Sequence, residues 1–323
     1  MHAATRRRQV LSALAATLAL GVPLTLATPA SADPRVHNGS ISFGRFDPGD
    51  GAFHLWVADR HGRHEHKLTT DATDFSDWRP DGRRIAFDFV DGAGDVHIAV
   101  IRPDGSHRHS LTTALGIQEV PTWSPDGAHL AFDAFDPSEP QFRTHLGLMD
   151  SDGSHQHQIT SGAFDVEPVY APNGSRIAFA RITDDENGVA GIYTVRPDGT
   201  RLREVVPLTR GLEHPDWSPD GRWITYDLAP ELDGPDAGSI FAVHPDGSDL
   251  HVLRPATAHR VYFKPRWSPD GRRFLSGCYD DRVGRDQLCT FRSGDHGHVH
   301  VLPLSGDDPV NFPAWGARPR HHD

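Results

Sequence analysis

Cysteine is nearly missing from this chain: Cys278 and Cys289 are the only two in 323 residues. Two thiols are too few to complete a four-ligand structural metal centre. None stands near the end of the leader, which argues against a lipid-anchored amino terminus. Positive charge is also scarce, with 32 Lys plus Arg against 44 Asp plus Glu and a net charge of −12. Nucleic acid and anionic membrane surfaces both demand a positive field, so neither is expected as a partner. Beyond the leader there is no convincing amphipathic helix, no apolar run of membrane-spanning length and no Gly-x-Ser-x-Gly nucleophile elbow. The spacing of an EF-hand is absent as well.

What is present begins with an export signal. Arg6, Arg7 and Arg8 form a basic head, residues 10–28 are mostly apolar, and Ala30-Ser31-Ala32 fits a small-residue cleavage site. Residues 1–32 therefore read as a signal peptide, and the arginines before Val10-Leu11 suggest the twin-arginine type. Removing three arginines leaves a mature charge of about −15. The chain is expected to be secreted or extracytoplasmic. Disulfides persist in such a compartment, and Cys278 and Cys289 sit on what should be adjacent strands, so a cross-strand disulfide is expected. The 22 histidines make the charge sensitive to pH near the imidazole pKa.

The body of the chain is one phrase repeated. Trp78-Arg79-Pro80-Asp81-Gly82 leads into Ile85-Ala86-Phe87, and Trp123-Ser124-Pro125-Asp126-Gly127 into Leu130-Ala131-Phe132. Further copies start at Tyr170, Trp217 and Trp267, while Ile41-Ser42-Phe43 and Pro313-Ala314-Trp315 divide one more between the two ends. The period of about 44 to 50 residues is that of a four-stranded propeller blade. Alternating apolar residues and Pro-Asp-Gly turns favour strands, with Asp bonding to its own backbone and Gly taking positive φ. The fold class is all-β, a single six-bladed β-propeller of four-stranded blades. It should occupy residues 41–316, after a short lead at 33–40 and before a tail at 317–323. Trp78, Trp123, Tyr170, Trp217, Trp267 and Trp315 are expected to pack between blades, because each sheet buries its faces only against its neighbours. Which strand closes the ring is left open.

These repeats resemble the PD40, or WD40-like, repeats of the TolB family, whose units carry Trp-Ser-Pro-Asp-Gly-x-x-Ile-Ala-Phe followed by Asp-Gly-Ser and Leu-Thr. The resemblance covers roughly Ile41 to Trp315 and concerns the propeller part only. It implies a scaffold that several unrelated functions share.

Propellers bind ligands where equivalent loops converge on the central channel. The residues four and three places before each aromatic are the candidate ligand-binding rim: Asp74, Glu119, Glu167, Glu213 with His214, Lys264, and Asn311. Carboxylates gathered at equivalent positions suit a hard cation or a cationic peptide. A second pattern comprises His64 and His66, His107 and His109, and His155 and His157, which read as surface residues; His251 and His296, His298 and His300 extend it. No catalytic residues are assigned. The expected function is a non-enzymatic binding or scaffold propeller, monomeric, that recognises a protein, peptide or cell-envelope component. The alternative is a metal-dependent lyase or hydrolase acting on extracellular polysaccharide at the channel. No cofactor is expected under the first reading, and a divalent metal in the channel under the second.

Overall fold

The computed structural model describes residues 37–319, apart from 114–115, 136–142, 162–163, 185–187, 231–233 and 294–297. The expected leader, half of the lead, most of the tail, and His296 lie outside these residues. Among the described residues every regular element is a strand, and no helix is long and apolar enough to cross a membrane.

The first sheet joins β1 (Asn38–Asp47), β2 (Ala52–Ala58) and β3 (His66–Lys67) to the last strand of the chain. Next come β4 (Ser76–Trp78), β5 (Ile85–Val90), β6 (Val96–Ile101) and β7 (His109–Ser110). They share one sheet with β8 (Ile117–Trp123), β9 (His129–Phe135), β10 (Thr144–Asp150) and β11 (His157–Gln158). A separate sheet holds β12 (Phe164–Tyr170), β13 (Ile177–Asp184), β14 (Val189–Val195) and β15 (Arg203–Arg210). Another holds β16 (Leu212–Trp217), β17 (Ile224–Leu228), β18 (Ile240–Val243) and β19 (His251–Arg254). The last contains β20 (Arg260–Trp267), β21 (Arg273–Asp280), β22 (Arg285–Arg292) and β23 (Val299–Val301). The chain's final strand is β24 (Val310–Ala317), which pairs antiparallel with β1.

This corrects the expectation of a six-bladed ring of independent sheets. Four blades stand alone as four-stranded sheets, and the remaining eight strands form one continuous sheet. The join is a parallel bridge from Val96 on β6 to Ile117 on β8, made as the Val96 amide donates to the Gly116 carbonyl at 3.1 Å. β7 pairs only with Ala99 and Val100 of β6, and Val96 at the far end of β6 pairs with Ile117 instead. The Gly116 amide in turn donates to Asp95 Oδ1 at 3.1 Å, holding the connection.

Ring closure is also settled. Each strand ending in the recurrent aromatic pairs with the strand that follows it, as β4 does with β5 and β16 with β17. That strand is the first of its own blade, and β8 alone is also bridged to the preceding one. In the first sheet the position is filled from the far end of the chain by β24, with Ile41 opposite Trp315. Closure removes the exposed edge that an open ring would present.

The core lies between sheets. Trp78 packs with Leu55 and Val57 of the preceding sheet, Trp123 with Ile98 and Val100, and Tyr170 with Leu146 and Leu148. Trp217 joins Ala190 and Ile192, Trp267 joins Ile240, and Trp315 is half-buried against Leu275 and Leu288. The Cys278–Cys289 disulfide forms as expected, fully buried beside Tyr262 and Phe291.

Candidate functional site at the channel mouth

The channel wall is built from the strand that carries each repeat's aromatic, β4, β8, β12, β16, β20 and β24, and every one of these but β4 is kinked the same way. Register slips by β-bulge between Glu119 and Thr122, Val166 and Val169, Glu213 and Asp216, and Phe263 and Arg266. At each slip a non-glycine residue takes positive φ: Val120 at 51°, Glu167 at 57°, His214 at 54° and Lys264 at 55°. Phe312 on β24 is the fifth, at 40°. A proline follows every one of them: Pro121, Pro168, Pro215, Pro265 and Pro313. Proline has no amide to lose from the ladder, so it suits the gap. Bulges re-aim side chains at functional sites, and side chains rarely accept this conformation without compensation.

Carboxylates hold the amides along this wall, two of them at bulge residues. Asp88 Oδ1 accepts the amides of Asp74 and Phe75, both at 3.0 Å. Glu167 accepts the His214 amide at 2.8 Å, and Asp227 Oδ1 accepts the Lys264 amide at 3.1 Å. Deeper in the channel, Asp77 accepts the Trp123 amide at 2.8 Å and Asp216 the Trp267 amide at 2.7 Å. The Glu167, Asp227, Asp77 and Asp216 bonds each cross from one repeat to the next.

Five of the sequence-predicted residues, Glu167, Glu213, His214, Lys264 and Asn311, line one cavity of about 830 Å³. Its wall is apolar, with Phe53, Leu212, Val261, Phe263 and Tyr279, and Asp281 and Asp286 add two more acids. Asp74 and Glu119 are not among its lining residues; they belong to the arc of the wall held by Asp88 and Asp133. Phe312 floors the cavity. It packs on Phe75 at 4.0 Å between ring centroids and also lines a smaller cavity of about 50 Å³ with Asp77, Asp216 and Arg266.

His214, His259, Arg260 and Lys264 answer these acids in the cavity, and the two at the bulges, His214 and Lys264, are held differently. His214 is buried, with Nε2 3.3 Å from Glu167 and Nδ1 3.1 Å from Asp227 and 3.6 Å from Glu213. Burial opposes its charge, yet Glu167 and Asp227 outweigh that and raise its pKa. Lys264, one of two lysines in the chain, lays its ammonium on the Phe312 ring, 2.9 Å from the centroid. Burial lowers its pKa to about 8 despite the surrounding carboxylates.

The opposite arc is almost purely acidic. Burial pushes Asp88 up to about 8 and raises Asp133 well above the carboxylate range, with Glu119 and Glu167 adding repulsion to Asp133. Glu119 is raised by burial, then by Asp74 and Glu167, and Asp74 by burial alone. Asp133 Oδ1 is buried with no hydrogen-bond partner.

Sequence reasoning missed Asp88, Asp133, Asp216 and Asp227, all of which are buried. The signal existed, because Phe87-Asp88, Phe132-Asp133 and Tyr226-Asp227 put an acid at one fixed place in an apolar strand. The histidine pairs lie elsewhere. His66, His109 and His157 are exposed on β3, β7 and β11, each with Nδ1 near the carbonyl of its own pair member at 3.4, 3.3 and 2.9 Å. Among the described residues, two groups bring three metal-capable atoms within 4.8 Å: Asp47, Asp50 and His54, and Glu213, His214 and Asp227.

Comparison with known proteins agrees with this architecture. The chain is 31% identical over 124 residues to a TolB homologue of Chlorobium luteolum, covering 38% of this chain and 26% of that protein. It is 29% identical over 125 residues to the uncharacterized peptidase YuxL of Bacillus subtilis, covering 36% of this chain and 18% of that protein. The matches thus span about a quarter or less of these relatives' lengths. Among solved structures, TolB from Acinetobacter baumannii superposes with a TM-score of 0.70 at 20% identity, over 86% of this chain and 66% of that one. The sequence profile described as the TolB beta propeller domain, PD40, matches residues 47–318, and the chain belongs to that family.

Proposed function

We propose that this propeller is a non-enzymatic binding module outside the cytoplasm, which receives a basic segment of a protein, peptide or cell-envelope partner at its channel mouth. The observation that carries this reading is the makeup of the 830 Å³ cavity, an apolar wall around Glu167, Glu213, Asp281 and Asp286. A lysine or arginine side chain entering it would meet these carboxylates while its neighbours cover Phe53, Phe263 and Tyr279. Because surface charge attracts a partner of opposite sign, association should weaken with salt. The buried Cys278–Cys289 disulfide and the expected leader support an oxidising compartment. TolB-family membership supports an envelope location, with secretion or envelope retention as the finer alternatives.

The test is crosslinked affinity capture from the native envelope and culture fractions, read by mass spectrometry. A reproducible partner lost when Glu167 and Glu213 become glutamine supports the reading. A partner retained by that variant places recognition elsewhere, and recovery of no partner in either fraction overturns it. The metal-dependent lyase or hydrolase reading has one observation in its favour, the convergence of Glu213, His214 and Asp227. Polysaccharide cleavage that depends on His214 is its test.

A further inference from the structure

We propose that Glu213, His214 and Asp227 form an open binding site for a divalent first-row transition-metal ion, independent of any protein partner. Three observations converge on it. The first is spacing: His214 Nδ1 lies 3.1 Å from Asp227 Oδ1 and 3.6 Å from Glu213 Oε2. Ligand atoms about 2.1 Å from a tetrahedral ion stand roughly 3.4 Å apart, so these separations bracket what one ion requires.

The second concerns the far side of the ring. His214 Nε2 is 3.3 Å from Glu167 Oε1. His214 Nδ1 hydrogen-bonds Asp227 Oδ1 at 3.1 Å, so a metal would take the place of the Nδ1 proton while Glu167 stands beside Nε2 to keep that nitrogen protonated, as a carboxylate–histidine–metal arrangement requires. The third is independent of the cluster's own hydrogen bonds. Asp227 is fully buried, and its Oδ2 has no hydrogen-bond partner. A buried carboxylate oxygen left unsatisfied is costly, and an ion at this point would satisfy it.

The nearby lysine does not fill that role. Lys264 gives Asp227 its backbone amide, but its ammonium rests on Phe312 and makes no ion pair within 4.0 Å among the described residues. One imidazole and two carboxylates suit zinc, iron or cobalt, and the cavity leaves room for water at the remaining positions. The other cluster is already satisfied: His54 bonds Asp50 at 2.9 Å and the Asp71 carbonyl at 3.0 Å, and Lys67 neutralises Asp47 at 3.1 Å.

The experiment titrates the folded protein with Co²⁺, following visible d–d absorption and bound metal per chain. A background carrying His66→Gln, His109→Gln and His157→Gln removes exposed imidazoles that bind metal unspecifically. The expected result is one equivalent bound in both backgrounds, weakened at least about tenfold by His214→Gln, Asp227→Asn or Glu213→Gln. Asn at 227 still accepts the Lys264 amide, and Glu213 is exposed, so two of these variants leave the fold intact. Lys264→Met should tighten binding by removing a like charge. Unchanged binding in Asp227→Asn and Glu213→Gln overturns the site. So does binding that disappears with the three surface histidines, or no equivalent tighter than theirs.

Discussion

Asp227 accepts the backbone amide of Lys264 at 3.1 Å across 37 residues of sequence. The acceptor belongs to β17 of one sheet and the donor to the bulge of β20 in the next. The bond thus couples two blades at the point where the channel side chains are aimed. Glu167 and His214 repeat the relation across 47 residues. The same carboxylates therefore shape the wall and set its charge.

Truncating Glu167 to alanine should strand the His214 amide and cost about 1–3 kcal/mol. Glutamine keeps an acceptor, so Glu167→Gln should recover most of that stability while still losing the captured partner. Urea denaturation beside affinity capture separates the two effects. Equal stability of the alanine and glutamine variants would show that the bond contributes nothing.

Asp88 should make the protein less stable in alkali. Its pKa in the folded protein is about 8 against an ordinary 3.8. A raised carboxylate binds its proton more tightly when folded, so its contribution is complete below about pH 4 and lost as pH rises through about 8. Asp88→Asn, which retains the Oδ1 acceptor, should stabilise the protein by about 1–3 kcal/mol at pH 9 and little at pH 4. Thermal melts at both values are the check, and parallel shifts at the two would contradict the assignment.

Reduction of Cys278–Cys289 should lower stability by about 2–3 kcal/mol, the entropy of a short closed loop. The two residues are diagonal neighbours, with Cys278 opposite Gln287 and Cys289 opposite Ser276. Cys278→Ala with Cys289→Ala should reproduce the loss and become insensitive to reductant. A melting temperature unmoved by either treatment would remove the disulfide from the stability account.

Deleting β24 should abolish cooperative unfolding. The strand supplies the innermost position of the first sheet, places Trp315 opposite Ile41, and carries Phe312 onto Phe75 and Lys264. A chain ending at Pro309 would expose β1 as an open edge. Circular dichroism against urea tests this, and a transition with the full-length midpoint and slope would show that closure is dispensable.

The strands, turns and blade aromatics were legible because they depend on local rules. Alternation, Asp-Gly turns and a recurrent Trp express themselves within one repeat, as do two cysteines on neighbouring strands. Glu167, Glu213, His214 and Lys264 could be picked out by their offset from the aromatic, although Asp74 and Glu119 share the offset without lining the cavity. What the tertiary structure decided is set by hydrogen bonds between repeats. The Val96–Ile117 bridge fused two expected blades through a contact between repeats. The chain termini met because β24 fills the place that no nearby strand occupies. The buried acids Asp88, Asp133 and Asp227 looked like ordinary strand residues; only the folded chain has Asp88 holding the amides of Asp74 and Phe75 and Asp227 the bulge amide of Lys264. Local alternation sets which face a side chain takes; only the closed ring determines what that face meets.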